Sequence, residues 1–191
     1  ANSALRKVGE QTIASFDEGT AGANFISDRF DEARDELLRL HPWNFAVKRA
    51  ELARSATVPE FEFNYFYTLP SDWMRTLGVF DNDTGKGHID YSEENGLIAA
   101  NAENVYLKYV YKCEDPNVMT PDFRETLAWR LAMEGAITLA NSNALYDRAK
   151  DAFEASLMTA KSTDALANRG TPLPRGTWVT KRTRSQASWP E

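Results

Sequence analysis

The sequence predicts an α+β fold: an antiparallel helical bundle with an inserted small antiparallel β-sheet, a sandwich or half-barrel, and an extended C-terminal tail. Three observations carry that prediction. Between residues 21 and 46 apolar side chains recur at helical steps, and between residues 60 and 111 the period shortens to two. From Phe123 to about Ala167 the helical period returns. The chain therefore divides into 1–52 and 120–170 for the bundle, 53–119 for the inserted β domain and 171–191 for the tail.

Residues 2–8 read as a short helix with Leu5 and Val8 inward, ended by Gly9. Asp17-Glu18-Gly19-Thr20 is turn chemistry, and Thr20 or Ser15 is placed as a helix cap. In the long helix that follows, Ile26, Phe30, Ala33, Leu37 and Leu40 alternate at steps of four and three, so they share a face. Asp28, Arg29, Asp31, Glu32, Arg34, Asp35, Glu36 and Arg39 fall on the other, solvated face, with Asp35 and Arg39 spaced for a weak pair. Pro42 stops the helix because proline disfavours helical dihedrals at His41. Trp43 and Phe45 can then fold back onto the end of the apolar stripe. Residues 45–52 lead away as a first strand or irregular segment.

From Glu60 onward, Phe61, Phe63, Tyr65 and Tyr67 alternate with Glu62, Asn64, Phe66 and Thr68, a strand pattern. Leu69-Pro70-Ser71-Asp72 breaks it, residues 73–80 resume it, and residues 81–87 form a loop. Asn95-Gly96 between two short strands is the dipeptide of tight hairpin turns. Val105, Leu107, Tyr109 and Tyr111 mark the clearest strand. Thr120-Pro121-Asp122 restarts helix with a cap, a first-turn proline and an acid at the positive helix end. Phe123, Leu127 and Leu131 lie on one side of it, beside small Ala128, Ala132, Gly135 and Ala136. A last helix from Ala144 to about Ala167 repeats Tyr146, Ala149, Phe153, Leu157 and Ala160 on one face, and Asn168-Arg169-Gly170 closes it.

The 191 residues suit one domain, or one with a sizeable insertion, and are enough to bury a core. One cysteine excludes an internal disulfide and a multi-cysteine zinc site; two histidines argue against a histidine-rich metal site. No apolar run reaches membrane-spanning length and the first residues lack a signal-peptide core, so the expectation is a reducing cytoplasm and no membrane. The net charge of −6 argues against a general nucleic-acid-binding surface. After Asn168 the balance reverses, with Arg169, Arg175, Lys181, Arg182 and Arg184 facing only Glu191.

Candidates for chemistry are few. His41 sits at a helix end, where imidazole meets terminal carbonyls, and Cys113 follows a strand where a small hydrophobe fits equally well. Asp81, Asp83 and Gly85 resemble a fragment of a calcium loop, but the twelfth-position glutamate is missing. Phosphate-binding glycine loops, zinc-protease helices and serine nucleophile elbows are absent from the sequence. The expectation is no catalytic residue, no cofactor and no metal. The strand tyrosines carry too few interleaved basic residues for a stacking groove, so they read as core and interface.

Val8-Gly9-Glu10, Ile13-Ala14-Ser15, Arg34-Asp35-Glu36-Leu37-Leu38 and then His41-Pro42-Trp43-Asn44-Phe45-Ala46 form a familiar order. With Tyr67-Thr68-Leu69-Pro70-Ser71-Asp72, Tyr109-Val110-Tyr111 before Asp115-Pro116, and the run from Phe123 through Ala132, it resembles the head-to-tail adaptor family of tailed bacteriophages, also called tail tubular protein A. The likeness spans roughly residues 1–165 in collinear order; His-Pro-Trp-Asn-Phe is its most distinctive piece. It implies a structural ring, usually twelve copies, bound beneath the portal protein at the virion neck and assembled in the host cytoplasm. Such a ring continues the DNA channel, with only transient non-specific DNA contact, and carries the downstream tail or nozzle protein. An acidic lining lets DNA slide, because bound phosphates need positive partners. The family has no catalytic residues to carry over.

Within that reading the tail offers the docking residues. Trp178 and Trp189 are isolated apolar anchors of the kind that dominate interfaces, and Arg175, Lys181, Arg182 and Arg184 would pair with acids on the portal or a neighbouring subunit. Two other classes compete: a monomeric or dimeric binding module whose basic tail is a nucleic-acid arm, and, more weakly, a hydrolase using His41 or Cys113.

Overall fold

Helices and strands occupy the expected order in a computed structural model of the protein, which describes residues 1–167. The helix closure at residues 168–170 and the tail at 171–191 lie outside the described residues. The four α-helices are α1 (Asn2–Lys7), α2 (Ala21–Leu40), α3 (Pro121–Thr138) and α4 (Asn143–Ala167). Between α2 and α3 run six strands: β1 (Val47–Glu51), β2 (Tyr65–Thr68), β3 (Trp73–Phe80), β4 (Tyr91–Glu94), β5 (Leu97–Ala100) and β6 (Tyr106–Tyr111).

Capping and turn chemistry set the helix limits. Asn2 clasps Ile13 with two 3.0 Å hydrogen bonds, which folds the first linker back onto α1. Thr20 Oγ1 accepts the backbone N–H of Ala23 at 3.2 Å and so starts α2. Thr120 Oγ1 does the same for α3 through Phe123 N. Along α3, small residues face the neighbouring helices: a Cβ added to Gly135 would stand 3.3 Å from the Phe25 ring of α2. Helices α1, α2 and α4 all contact α3.

The buried face of α2 is rotated from the expected stripe. Ile26, Ala33 and Leu37 are buried as expected, but so are Phe25, Arg34 and Leu38, while Leu40 is 47% exposed. Trp43 explains the last turn: it folds beneath α2, donates from Nε1 to the Leu37 carbonyl at 2.8 Å, and is itself fully buried. Leu40 is then left on the outside. Asp35 does not take Arg39 as its partner; it pairs with Arg34 and Lys112 instead.

The strands form two antiparallel three-stranded sheets, β1-β6-β3 and β2-β5-β4. Isolated bridges at Arg54↔Tyr67 and Phe80↔His88 join them along both sides. Tyr67, Val79, Ile98, Val105 and Leu107 fill the space between the sheets. Tyr67 is held there by its hydroxyl, which donates to the Ala102 carbonyl at 2.5 Å. At the hairpin Asn95 and Gly96 take φ of 50° and 74°, the left-handed pair a two-residue β4–β5 turn requires. Strand β2 begins at Tyr65 rather than at Phe61. Glu62 has φ 70°, which breaks extended backbone, and Phe61 is 80% exposed.

The β1-β6-β3 sheet is covered on both faces. Leu107 and Tyr109 of β6 point between the sheets, whereas Val110 belongs to the helical core with Met74, Trp43, Phe123 and Leu37. Strand β1 begins five residues before residue 52, so the sheet takes its first strand directly from the end of the helical segment.

Candidate functional site

The residues that the sequence marks as most distinctive meet where helices and sheet join. After α2, residues 41–46 reverse the chain through a short 3₁₀ turn (Asn44–Ala46) into β1. Trp43 stacks edge-on against Phe123 at 5.1 Å between ring centroids, and Phe45 meets the same ring at 5.0 Å. Phe123 therefore receives both aromatics of the turn.

Asp164 of α4 fastens the turn from the far end of the chain. Its Oδ1 accepts the Asn44 backbone N–H at 3.0 Å, and its Oδ2 lies 3.0 Å from His41 Nε2. Because a carboxylate only accepts, Nε2 carries the proton in this contact. Asn44 returns a bond from Nδ2 to the Asp164 carbonyl at 2.6 Å. Asp164 is buried, and its burial is tolerable only because these donors satisfy it.

A second group of charges ties α2 to the segment after β6. Arg34, 4% exposed, donates from Nε to Asp35 and from Nη1 to Asp31, both at 2.8 Å. Lys112 bridges Asp35 and Glu114. A third group clamps α2 on α3: Glu134 takes Arg29 at 2.7 Å and Arg130 at 2.5 Å, while Arg130 also reaches Glu36. Burial pushes the Glu134 carboxyl up, but the two guanidiniums outweigh it and hold the group below the usual range.

Under the sheet, Asp72 accepts from Lys48 at 2.7 Å and from the Tyr109 hydroxyl at 3.0 Å. Burial and then the Asp72 bond push the Tyr109 phenol up to about 12. Burial and the hydrogen bond to Cys113 do the same to Tyr111, also to about 12. Burial likewise raises Asp72, but Lys48 and Tyr109 reverse the balance and leave it below its ordinary value.

His41 and Cys113 have separate partners. His41 is bound to Asp164, whereas buried Cys113 accepts the Tyr111 hydroxyl at 3.4 Å and lies 3.9 Å from the Asp115 carbonyl. The 81–87 loop is organised by Asn82, which donates to the Lys86 carbonyl and accepts from Thr84. Among the described residues, no group of three or more His, Cys, Asp or Glu side chains is placed to hold a metal ion. No helix among them is long and apolar enough to cross a membrane. The expected docking residues Arg175, Trp178, Lys181, Arg182, Arg184 and Trp189 lie outside the described residues.

Two residues of the junction were missed by the sequence reading, and each had a visible signal. Asp164 continues the α4 stripe one step of four beyond Ala160, and Arg34 sits four residues from both Phe30 and Leu38. A charged residue on an apolar stripe marks a buried polar contact. No protein-family model matches the sequence, and a search of curated proteins finds no match.

Proposed function

We propose that the protein is a structural head-to-tail connector of a tailed bacteriophage, acting by assembly rather than by catalysis. Copies form a ring below the portal protein, continue its DNA channel and present a platform to the downstream tail or nozzle protein. The helical segments 1–52 and 120–170 form the bundle that builds the ring, 53–119 the inserted β domain, and 171–191 the extended tail. Arg175, Trp178, Lys181, Arg182, Arg184 and Trp189 supply the contact with the portal or a neighbouring subunit.

The observation that carries this reading is the His41-Pro42-Trp43-Asn44-Phe45 element. These residues bear the strongest likeness to the adaptor family, and their side chains are engaged in joining α2, α3 and α4. That is a role in rigidity, as a ring subunit under DNA pressure needs. The fastening charges support the same reading, because they link elements to one another.

Electron microscopy of the protein mixed with its cognate portal tests the proposal. The expected image is a ring seated on the portal with an open channel. Portal particles without added density would sink the connector reading and favour a binding module with a basic nucleic-acid arm. A chain truncated after Gly170 is expected to fold and melt as the full chain does while no longer joining the portal; normal assembly by that truncation would remove the tail from the docking role.

A further inference from the structure

The helix-side face of the β1-β6-β3 sheet, the face that bears Val110, carries two cations at its margin that the described residues do not neutralise. Arg49 and Lys108 stand directly opposite each other on β1 and β6. Like charges so placed cost a sheet stability. Nearby cations are all engaged: Lys48 by Asp72, Arg75 by the Arg39 carbonyl, Lys112 by Asp35 and Glu114. Among the described residues no carboxylate lies within ion-pair distance of Arg49 or Lys108.

Both cations line a cleft of about 460 Å³ beside the 41–45 turn, together with Pro42, Val47 and Leu77. Among the described residues no acidic side chain borders it. A second cleft of about 350 Å³ shares the two cations and runs to the 82–85 loop, where Glu51 and Asp83 add negative charge. The first is therefore the one that lacks an anion. Arg49 and Lys108 make it positive, and Pro42, Val47 and Leu77 give it an apolar patch beside polar Asn44.

A complementary surface exists on the same chain. Residues 58–63 read Val-Pro-Glu-Phe-Glu-Phe, with Phe61 80% and Val58 65% exposed. Glu60 and Glu62, on either side of Phe61, are exposed as well. This segment leads into β2 of the other sheet, and its end is fixed by Asn101, whose side chain accepts the Asn64 N–H at 2.8 Å. In its own molecule neither glutamate pairs with Arg49 or Lys108.

We propose that residues 58–63 of one copy seat in the Arg49–Lys108 cleft of a second copy. Glu60 and Glu62 meet the two cations, and Phe61 covers Pro42, Val47 and Leu77. The donor and acceptor surfaces differ, so the contact is heterologous and repeats from copy to copy, closing into a ring where the rotation allows. The inference rests on the connector reading for that closure, and the charge match alone supplies the pairing.

The test uses the full chain and three charge-reversed variants: Arg49→Glu with Lys108→Glu, Glu60→Lys with Glu62→Lys, and all four together. Each is checked for native circular dichroism, then measured by sedimentation velocity across a concentration series at low and high salt, and by microscopy with the portal. The expected result is that each double variant weakens self-association at least about tenfold, as juxtaposed like charges do, and that the fourfold variant restores it. Rings formed equally well by the double variants would overturn this contact while leaving the connector reading intact. Salt-sensitive self-association that follows the charge pattern without any ring on the portal would uphold the contact and count against the connector. Failure of the natively folded fourfold variant to recover, or an unmodified chain that stays monomeric and forms no ring, overturns the pairing.

Discussion

Asp164 shows how much one side chain holds together. Buried Asp164 accepts the backbone N–H of Asn44 and pairs with His41, so Asp164→Ala removes both of these bonds. The expected loss is about 1–3 kcal/mol by urea denaturation, the usual worth of hydrogen bonds to a charged group; a change under about 0.5 kcal/mol would mean that water replaces the carboxylate freely. The tyrosines give a pH-dependent counterpart. Tyr109 and Tyr111 have their phenols raised to about 12, and burial raises Tyr67 above its ordinary value too. In the unfolded chain these phenols ionise near 10. Above that pH the unfolded state has released protons that the folded state keeps, so stability falls as pH rises from 10 through 12. Tyrosinate absorbance should show these residues titrating late among the seven tyrosines, and Tyr109→Phe should flatten part of the alkaline loss. At this scale the sequence was only partly legible. The aromatic plug at Trp43 and Phe45 follows from proline and from the stripe that precedes it. The buried Arg34 is harder: its spacing from Phe30 and Leu38 is the one hint, and an Arg-Asp pair on a helix looks the same whether a neighbouring segment covers it or water does.

Turns and caps were the most legible elements, because their chemistry is local. Asn95-Gly96 predicts a two-residue turn, and the positive φ values at both positions supply it. Gly96→Ala should therefore cost about 1–2 kcal/mol, the penalty for a Cβ in left-handed backbone, with the hairpin's amides exchanging faster by hydrogen–deuterium exchange. An unchanged melting temperature would mean that the turn relaxes to another type. Thr20 and Thr120 likewise do what their positions announce. Strand limits were harder. The alternation through Phe61 and Phe63 is a true period-two pattern, yet among the described residues no strand pairs with it, and Glu62 bends the backbone away. Alternation describes which residues could face a core; it does not supply the partner strand that makes an extended segment a ladder. Val110 makes the converse point, since it falls outside the Val105, Leu107, Tyr109 and Tyr111 pattern and the helices behind the sheet bury it.

Across the whole molecule, sheet and helices share one core. Met74 and Val110 come from β3 and β6, but they pack with Trp43, Leu37 and Phe123. Deleting residues 60–111 and bridging the gap with a short Gly/Ser linker therefore strips the helices of part of their interior. The expected outcome is loss of a cooperative melting transition in the remainder, followed by far-ultraviolet circular dichroism; a sharp transition at the original temperature would show that the insert is an independent lobe. The order helix, strands, helix was readable from period alone, whereas the shared core was not, because it depends on which face of β6 the helices reach. The Asp164 fastening also has a consequence in time. His41 and its partner stand 123 residues apart in the chain. At about 5–20 residues per second on the ribosome, the turn waits roughly 6–25 s for the carboxylate that closes it. For roughly the first 4–16 s of that interval Trp43 has no Phe123 to stack on, and for roughly the first 3–13 s β1 has no β6 to pair with. The nascent subunit therefore emerges with its most apolar turn uncovered, and commits to its final shape only as its last described helix leaves the exit tunnel.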